Sequence, residues 1–103
     1  MKPRYILAPE AAEDLVEIWR YIKQQSSLEM ADHVESVIRE LILFLAQSPG
    51  AGHWRKDLTD ISVRFFPLYS YLVVYRAETK PLQIVAILHG RRDVEKVPKK
   101  RPS

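Results

Sequence analysis

The sequence contains no cysteine among its 103 residues. Disulfide scaffolds, thiol nucleophiles and cysteine-ligated metal sites all need that side chain, so these three classes are excluded. The longest uninterrupted apolar run, Leu41 to Ala46, is six residues, far below the ~20 that a helix needs to cross a bilayer. The amino terminus shows no signal-peptide core. These absences predict a cytoplasmic protein without membrane association.

Glycine and histidine are also scarce, with three residues of each. The glycines Gly50, Gly52 and Gly90 do not form a phosphate-binding loop. The histidines are isolated, and none has a second ligand at the spacing that a shared metal requires. The sequence therefore predicts neither a cofactor nor a metal site.

Charge is unevenly distributed along the chain. Residues 1–51 hold five Lys/Arg and eight Asp/Glu, whereas residues 52–103 hold eleven Lys/Arg and five Asp/Glu. A basic second half indicates an anionic partner, either nucleic acid or an acidic protein segment. A solvated surface that keeps the domain soluble explains the same charges, and this alternative stays open.

Length and composition predict one domain with an ordinary apolar core, since 103 residues are too few for two. We assign the domain to residues 1–93. The remaining residues, 94–103, are rich in lysine and proline and show no periodicity. They are expected to form a basic C-terminal tail.

Two helices are predicted in the first half of the chain. Pro9 is suited to a first helical position, and an apolar stripe with helical spacing follows it to about Gln25. Ser27 is placed to cap a second helix. That helix ends at the Ser48-Pro49-Gly50 sequence. We expect the two helices to form an antiparallel hairpin.

Strands are predicted on both sides of the helices. A short strand at Tyr5-Ile6-Leu7 precedes them. After them, residues 61–66 alternate with a period of two, Pro67-Leu68 is expected to form a tight turn, and residues 69–76 resemble a central strand. Residues 82–88 are almost entirely apolar, which indicates a strand covered on both faces. The predicted class is α+β with the order β-α-α-β-β-β, a helix hairpin packed on a mainly antiparallel sheet.

The residues best suited to bind an anion are basic side chains near the predicted strand ends and loops. Guanidinium groups bind phosphates and carboxylates through a planar fork. We expect several of these side chains to converge on one concave face. For Arg64 and Arg76, the alternative is an internal ion pair with first-helix acids such as Asp14 or Glu17. The set comprises Arg55, Lys56, Arg64, Arg76, His89, Arg91 and Arg92.

Several segments, in order and spacing, resemble the RelE/ParE superfamily of bacterial toxins, and the ParE branch most closely. The resemblance spans almost the whole chain, and the family's β-α-α-β-β-β fold agrees with the order predicted above. The matching segments are Ala12, Asp14, Leu15, Ile18 and Tyr21; Ser48-Pro49-Gly50; Arg55-Lys56-Asp57-Leu58; Arg64; Tyr71 to Arg76; and Ile84 to Asp93.

The resemblance implies a type II toxin that inhibits DNA gyrase and is held inactive, as a hetero-oligomer, by a cognate ParD-like antitoxin. The expected target-binding residues are Arg55, Lys56, Arg64, Arg76, Arg91 and Arg92. For the antitoxin we expect an acidic amphipathic segment whose apolar anchors enter a groove beside the helix hairpin and the sheet. The residues expected to line it are Leu15, Trp19, Phe66 and Tyr71.

The resemblance also leaves an alternative, because RelE-like relatives cut mRNA at the ribosome without metal. That reaction needs a base for the 2′-hydroxyl, an acid for the leaving oxygen and cations on the phosphate. His89 could serve as acid or base. Neither Tyr nor His follows Asp93, where RelE-type sites often place one, and this departure favours the ParE branch. The cations available for the RNA backbone are Lys56, Arg64, Arg76 and Arg91.

Overall fold

The computed structural model describes residues 3–90. Arg91, Arg92 and the predicted tail lie outside the described residues. In chain order, the elements are β1 (Tyr5–Leu7), α1 (Pro9–Gln25), α2 (Leu28–Gln47), a short 3-10 helix (Pro49–Ala51), β2 (Arg64–Leu68), β3 (Tyr71–Arg76) and β4 (Leu82–His89).

The helix hairpin forms where the sequence predicts it. α1 has Pro9 in its first turn. The Ser27 hydroxyl caps α2 by accepting a hydrogen bond of 3.0 Å from the Met30 backbone N–H. The indole Nε1 of Trp19 donates to Asp32 over 2.8 Å and joins the two helices.

The four strands form one sheet in the order β1-β4-β3-β2. β1 pairs parallel with β4, and the β2–β3 and β3–β4 pairs are antiparallel. The predicted α+β fold, with a helix hairpin on a mainly antiparallel sheet, is therefore confirmed. α1 packs over β4 and against α2.

Both faces of the sheet are covered, each by a different part of the chain. On the helix side, the buried core consists of Ala11, Leu15, Val34, Ile38, Ile42, Leu45, Val73, Tyr75, Leu82, Ile84 and Ile87. On the opposite side, a smaller core consists of Val63, Phe65, Val74, Ala86 and Leu88, with Leu58, Ile61, Leu72 and Val85 against it. The second half of the long loop between the 3-10 helix and β2, residues 52–63, thus covers the face that the helices leave open. The prediction that β4 is covered on both faces is confirmed.

The predicted start of β2 is wrong by three residues. Ile61 to Val63 belong to the long loop, since the Val63 N–H bonds to the Ile61 carbonyl at 2.9 Å in a tight three-residue turn. The Thr59 hydroxyl also accepts from the Ile61 N–H at 3.1 Å. These local bonds compete with strand pairing, so β2 begins at Arg64.

The predicted turn at Pro67-Leu68 is also wrong, because β2 continues through both residues. The turn falls at Tyr69 and Ser70, and Tyr69 has a left-handed φ of 56°. Pro67 is tolerated because β2 is an edge strand, so one of its sides has no neighbouring strand of the sheet. Phe65 shows which N–H groups face that side, since its own N–H donates to the His53 carbonyl of the long loop and lies two residues before Pro67. At Pro67 the missing N–H would likewise point away from β3.

Among residues 3–90, neither helix combines the length and the apolar composition needed to cross a membrane.

Candidate functional site

The most distinctive polar arrangement in the structure lies at the start of β2. The guanidinium carbon Cζ of Arg64 lies 4.3 Å from the centroid of the Trp54 ring, which is a cation–π stack. Arg64 Nη1 donates to the Gly52 carbonyl over 2.9 Å. Its Nε is buried and has no hydrogen-bond partner among the described residues. Trp54 itself is 45% exposed.

A buried tyrosine holds this arrangement in place. The Tyr75 hydroxyl donates to the Pro49 carbonyl at 2.7 Å and accepts from the Gly52 N–H at 2.8 Å. Arg64 and Tyr75 are cross-strand partners and therefore lie on the same face of the sheet. Burial raises the pKa of Tyr75, against the opposing effects of the Gly52 hydrogen bond and the nearby Arg64 charge. The hydroxyl thus stays protonated and can donate.

Two more of the predicted cations lie next to Trp54. Arg55 and Lys56 line a cavity of about 260 Å³ whose other walls come from Trp54, Thr59, Asp60, Ile61, Ser62 and Val63. Arg55 donates two hydrogen bonds to the Asp57 carboxylate, from Nε to Oδ1 at 3.0 Å and from Nη2 to Oδ2 at 2.9 Å. This pairing lowers the pKa of the exposed Asp57 carboxyl. The long loop therefore brings Arg55, Lys56 and Arg64 to one region.

Arg76 is not among the cations that share a face of the sheet with Arg64. Arg76 follows Tyr75 directly on β3, and successive side chains of a strand point to opposite faces. Arg76 is therefore on the side of the long-loop core, whereas Arg64 is on the helix side.

His89 is also separated from the other predicted residues. It pairs with Tyr71, whereas Arg64 pairs with Tyr75. The two pairs are four positions apart along β3, which corresponds to roughly 13 Å at the usual strand rise. The His89 ring makes an edge contact with the Tyr71 ring, with centroids 5.9 Å apart.

The alternative of internal ion pairs with first-helix acids does not describe Arg64. Its contacts are to Trp54 and Gly52, as above. Asp14 uses its Oδ2 to accept a hydrogen bond of 2.9 Å from the Ile87 backbone N–H.

The four residues expected to bind the antitoxin fall in three places. Leu15 and Trp19 line a cavity of about 240 Å³, here named the α1–α2 groove, together with Leu7, Ala12, Val16, Glu35 and Arg39. Leu15 is only 3% exposed, belongs to the core and forms the floor of this groove. Phe66 packs edge-on against the exposed Phe44, and Tyr71 lies beside His89.

The sequence pattern did not predict that Trp54 stacks on Arg64 or that the long loop packs against the sheet. The signal available in the sequence was the apolar residues Leu58, Ile61 and Val63 within a stretch otherwise rich in polar residues. Their spacing does not show that they pack under the sheet, because the loop has no regular period.

No group of three or more His, Asp or Glu side chains within the described part of the chain is arranged to hold a metal ion.

The chain matches a family model described as the ParE toxin of the type II toxin–antitoxin system, parDE, over residues 5–94. It is 32% identical over 89 residues to Toxin ParE1 of Caulobacter vibrioides (strain ATCC 19089 / CIP 103742 / CB 15), covering 86% of this chain and 90% of that protein. A solved structure described as the chromosomal ParDE TA system from P. aeruginosa has the same fold. Its TM-score is 0.69 at 24% identity, covering 82% of this chain and 92% of that chain.

The match to the family model and the identity to Toxin ParE1 agree. The chain therefore belongs to the ParE toxin family of type II toxin–antitoxin systems.

Proposed function

We propose that this toxin inhibits DNA gyrase and that a ParD-type antitoxin neutralises it. The observation that carries the proposal is the family match over residues 5–94. Both the target and the antitoxin would meet the toxin in the cytoplasm. The target contact is assigned to the predicted cations, of which Arg55, Lys56 and Arg64 lie together around Trp54.

The geometry of the described residues favours a binding protein over an mRNA endonuclease. Cleavage requires an acid or base within reach of the cations that hold the phosphate. His89 is about 13 Å along the sheet from the position of Arg64. Arg76 lies on the opposite face from Arg64. Gyrase inhibition needs only a surface that binds the target protein, and it does not require an acid or base beside the cations.

The test is supercoiling of relaxed plasmid by purified gyrase in the presence of the purified toxin. We expect inhibition by the unmodified chain, and we expect Lys56→Glu to weaken it by reversing a charge in the long loop. Lys80→Glu is the matched control, because Lys80 is an exposed cation in the β3–β4 connection. Full supercoiling at a large molar excess of the unmodified toxin rejects the proposal. Toxin-dependent cuts within codons of a translated message would instead support the endonuclease.

For the antitoxin, we propose that an acidic amphipathic segment inserts apolar side chains into the α1–α2 groove. Val16 is 47% exposed at this groove, Leu15 forms its floor and Arg39 lies at its rim. Apolar anchors in a groove with a cation at the edge are typical of helix-in-groove recognition. The Arg39 guanidinium is fixed by Tyr5, whose hydroxyl accepts from Nη1 at 3.1 Å, and by Glu35, whose carboxylate accepts from Nε at 3.2 Å.

This contact is tested by co-purification of the toxin with a co-expressed ParD-type antitoxin. We expect Val16→Glu to abolish co-purification, because a carboxylate at the groove repels an acidic segment and cannot be buried there. Leu28→Glu, at another exposed apolar position on the helix hairpin, should leave it intact. If Val16→Glu toxin still co-purifies, the antitoxin binds elsewhere.

A further inference from the structure

Trp54 combines exposure with a fixed position. The residue remains 45% exposed although tryptophan is among the side chains that gain most from burial. The ring rests on the Arg64 guanidinium. The neighbouring residue His53 is bonded to Phe65 by two backbone hydrogen bonds of 2.8 Å each, which ties this part of the long loop to β2. An exposed aromatic held in this way loses little conformational entropy when a partner covers it.

The Arg64 side chain also has unused hydrogen-bonding capacity. Nη1 is satisfied by Gly52, whereas Nε is buried without a partner among the described residues. An unsatisfied buried donor is costly, and a charged acceptor would remove that cost. In the long loop, Arg55 uses its Nε and Nη2 edge to bind the Asp57 carboxylate. That pair shows the geometry that a carboxylate would adopt on the corresponding edge of Arg64.

We infer that Trp54 and Arg64 form the anchor that binds the target protein of this toxin, through a segment carrying a carboxylate beside an apolar side chain. The carboxylate binds the edge of Arg64 that carries Nε, the donor left without a partner among the described residues. The apolar side chain packs on Trp54 and enters the adjacent 260 Å³ cavity, where Ile61 and Val63 supply apolar wall. This inference rests on the proposed function, in which the long loop contacts the target.

The charges around the cavity favour a protein segment over a nucleic acid. Asp60 lines the cavity, and Asp57 neutralises Arg55 beside it. A continuous phosphate backbone would run past Asp60 and find Arg55 already paired, whereas a single carboxylate needs only Arg64 and Lys56. Tryptophan and arginine are also the side chains most often responsible for affinity at the centres of protein interfaces.

The experiment compares Trp54→Ala toxin with the unmodified chain in two assays, gyrase supercoiling and growth arrest on induction without antitoxin. We expect about 30-fold more Trp54→Ala toxin to be needed for half-inhibition, the loss typical of a truncated anchor residue. Trp54→Phe should recover part of the activity by restoring an aromatic face. Arg64→Lys should remain weak, because an ammonium keeps the charge but has no planar fork. Thermal unfolding of each variant separates a lost contact from a lost fold.

Tyr69→Asn is the matched control, since Tyr69 is a 66% exposed aromatic at the other end of β2 and asparagine accepts its left-handed φ. It should inhibit as the unmodified chain does. Unchanged potency of folded Trp54→Ala toxin overturns the inference. The antitoxin co-purification described above serves as a third assay. If Trp54→Ala toxin keeps normal potency but no longer co-purifies with the antitoxin, the anchor binds the antitoxin and the inference is also overturned. If the unmodified toxin arrests growth without inhibiting gyrase, the proposed target is wrong, and the growth assay alone decides the role of Trp54.

Discussion

At the scale of single residues, Gly52 shows how tightly the chain approaches the Tyr75 ring. A Cβ at position 52 would overlap the Tyr75 hydroxyl oxygen and lie 2.8 Å from its Cε1 atom. The hydroxyl is held on both sides by hydrogen bonds to Gly52 and Pro49. The Tyr75 side chain is fully buried, so the ring cannot move out into solvent.

We therefore expect Gly52→Ala to lower the free energy of unfolding by about 1–3 kcal/mol, the usual cost of overpacking a core. Chemical denaturation checks this. Gly50→Ala is the control, because a Cβ there meets nothing within 4 Å. Equal stability of the two variants would show that the Tyr75 ring is not fixed where the structure places it.

The Tyr75 hydroxyl provides a second prediction at this scale. Tyr75→Phe leaves the Gly52 N–H and the Pro49 carbonyl without their partner, and should cost about 1–3 kcal/mol at neutral pH. Burial raises the pKa of Tyr75 above its ordinary value of 10.0. Above that pH the unfolded state loses the proton before the native state does, so this contribution to stability falls as pH rises.

The difference in unfolding free energy between the unmodified chain and Tyr75→Phe should therefore narrow above about pH 10. Denaturation curves from pH 7 to 11 measure it. Tyr69→Phe, which removes an exposed hydroxyl, should leave the unfolding free energy at neutral pH unchanged. A difference that widens with pH would contradict the proposed burial of the hydroxyl.

At the scale of elements, the boundaries of the helices follow from local chemistry. Ser27 caps α2 through its side chain, as its position before the apolar stripe predicts. Ser27→Ala should lower the free energy of unfolding by about 1 kcal/mol. Ser26→Ala should have little effect, since Ser26 lies one residue earlier and does not cap α2. Thermal denaturation of both variants tests this, and an equal loss from both would rule out capping as the cause.

The boundaries of β2 were less predictable. The alternation from Ile61 to Phe66 is typical of a strand, yet the first three residues turn into the long loop and pack beneath the sheet. Pro67 usually marks a turn, but the outer side of an edge strand accepts it. In both cases the strand boundary depends on which distant segment lies beside the backbone N–H and C=O groups. The local order of residues does not contain that information.

At the scale of the whole molecule, Asp14 joins the helix layer to the sheet. β1 is short, and its pairing with β4 ends at Leu7 and Ile84, so the Ile87 N–H lies beyond it. Asp14 of α1 accepts the hydrogen bond instead, at 2.9 Å. A charged acceptor on a partly buried backbone donor is among the stronger hydrogen bonds in proteins.

Asp14→Ala should therefore lower the free energy of unfolding by about 2 kcal/mol. Asp14→Asn, which keeps an acceptor oxygen, should lose less. Glu13→Ala is the control, because Glu13 is an exposed neighbour on the same helix. Hydrogen exchange of the Ile87 amide measures the loss of this hydrogen bond directly. If the amide of Asp14→Ala exchanges as slowly as that of the unmodified chain, another group accepts the bond from the Ile87 N–H.

The sequence alone determined the order of elements, the helix hairpin and the ParE resemblance. Helical and strand periodicities, caps and breakers are local properties, and one segment carries them without reference to the rest. The tertiary structure alone decided that Trp54 stacks on Arg64, that Arg76 points to the other face and that His89 lies at the far end of the sheet. Those relations depend on strand register and on the path of an aperiodic loop, which arise only when distant segments pack together.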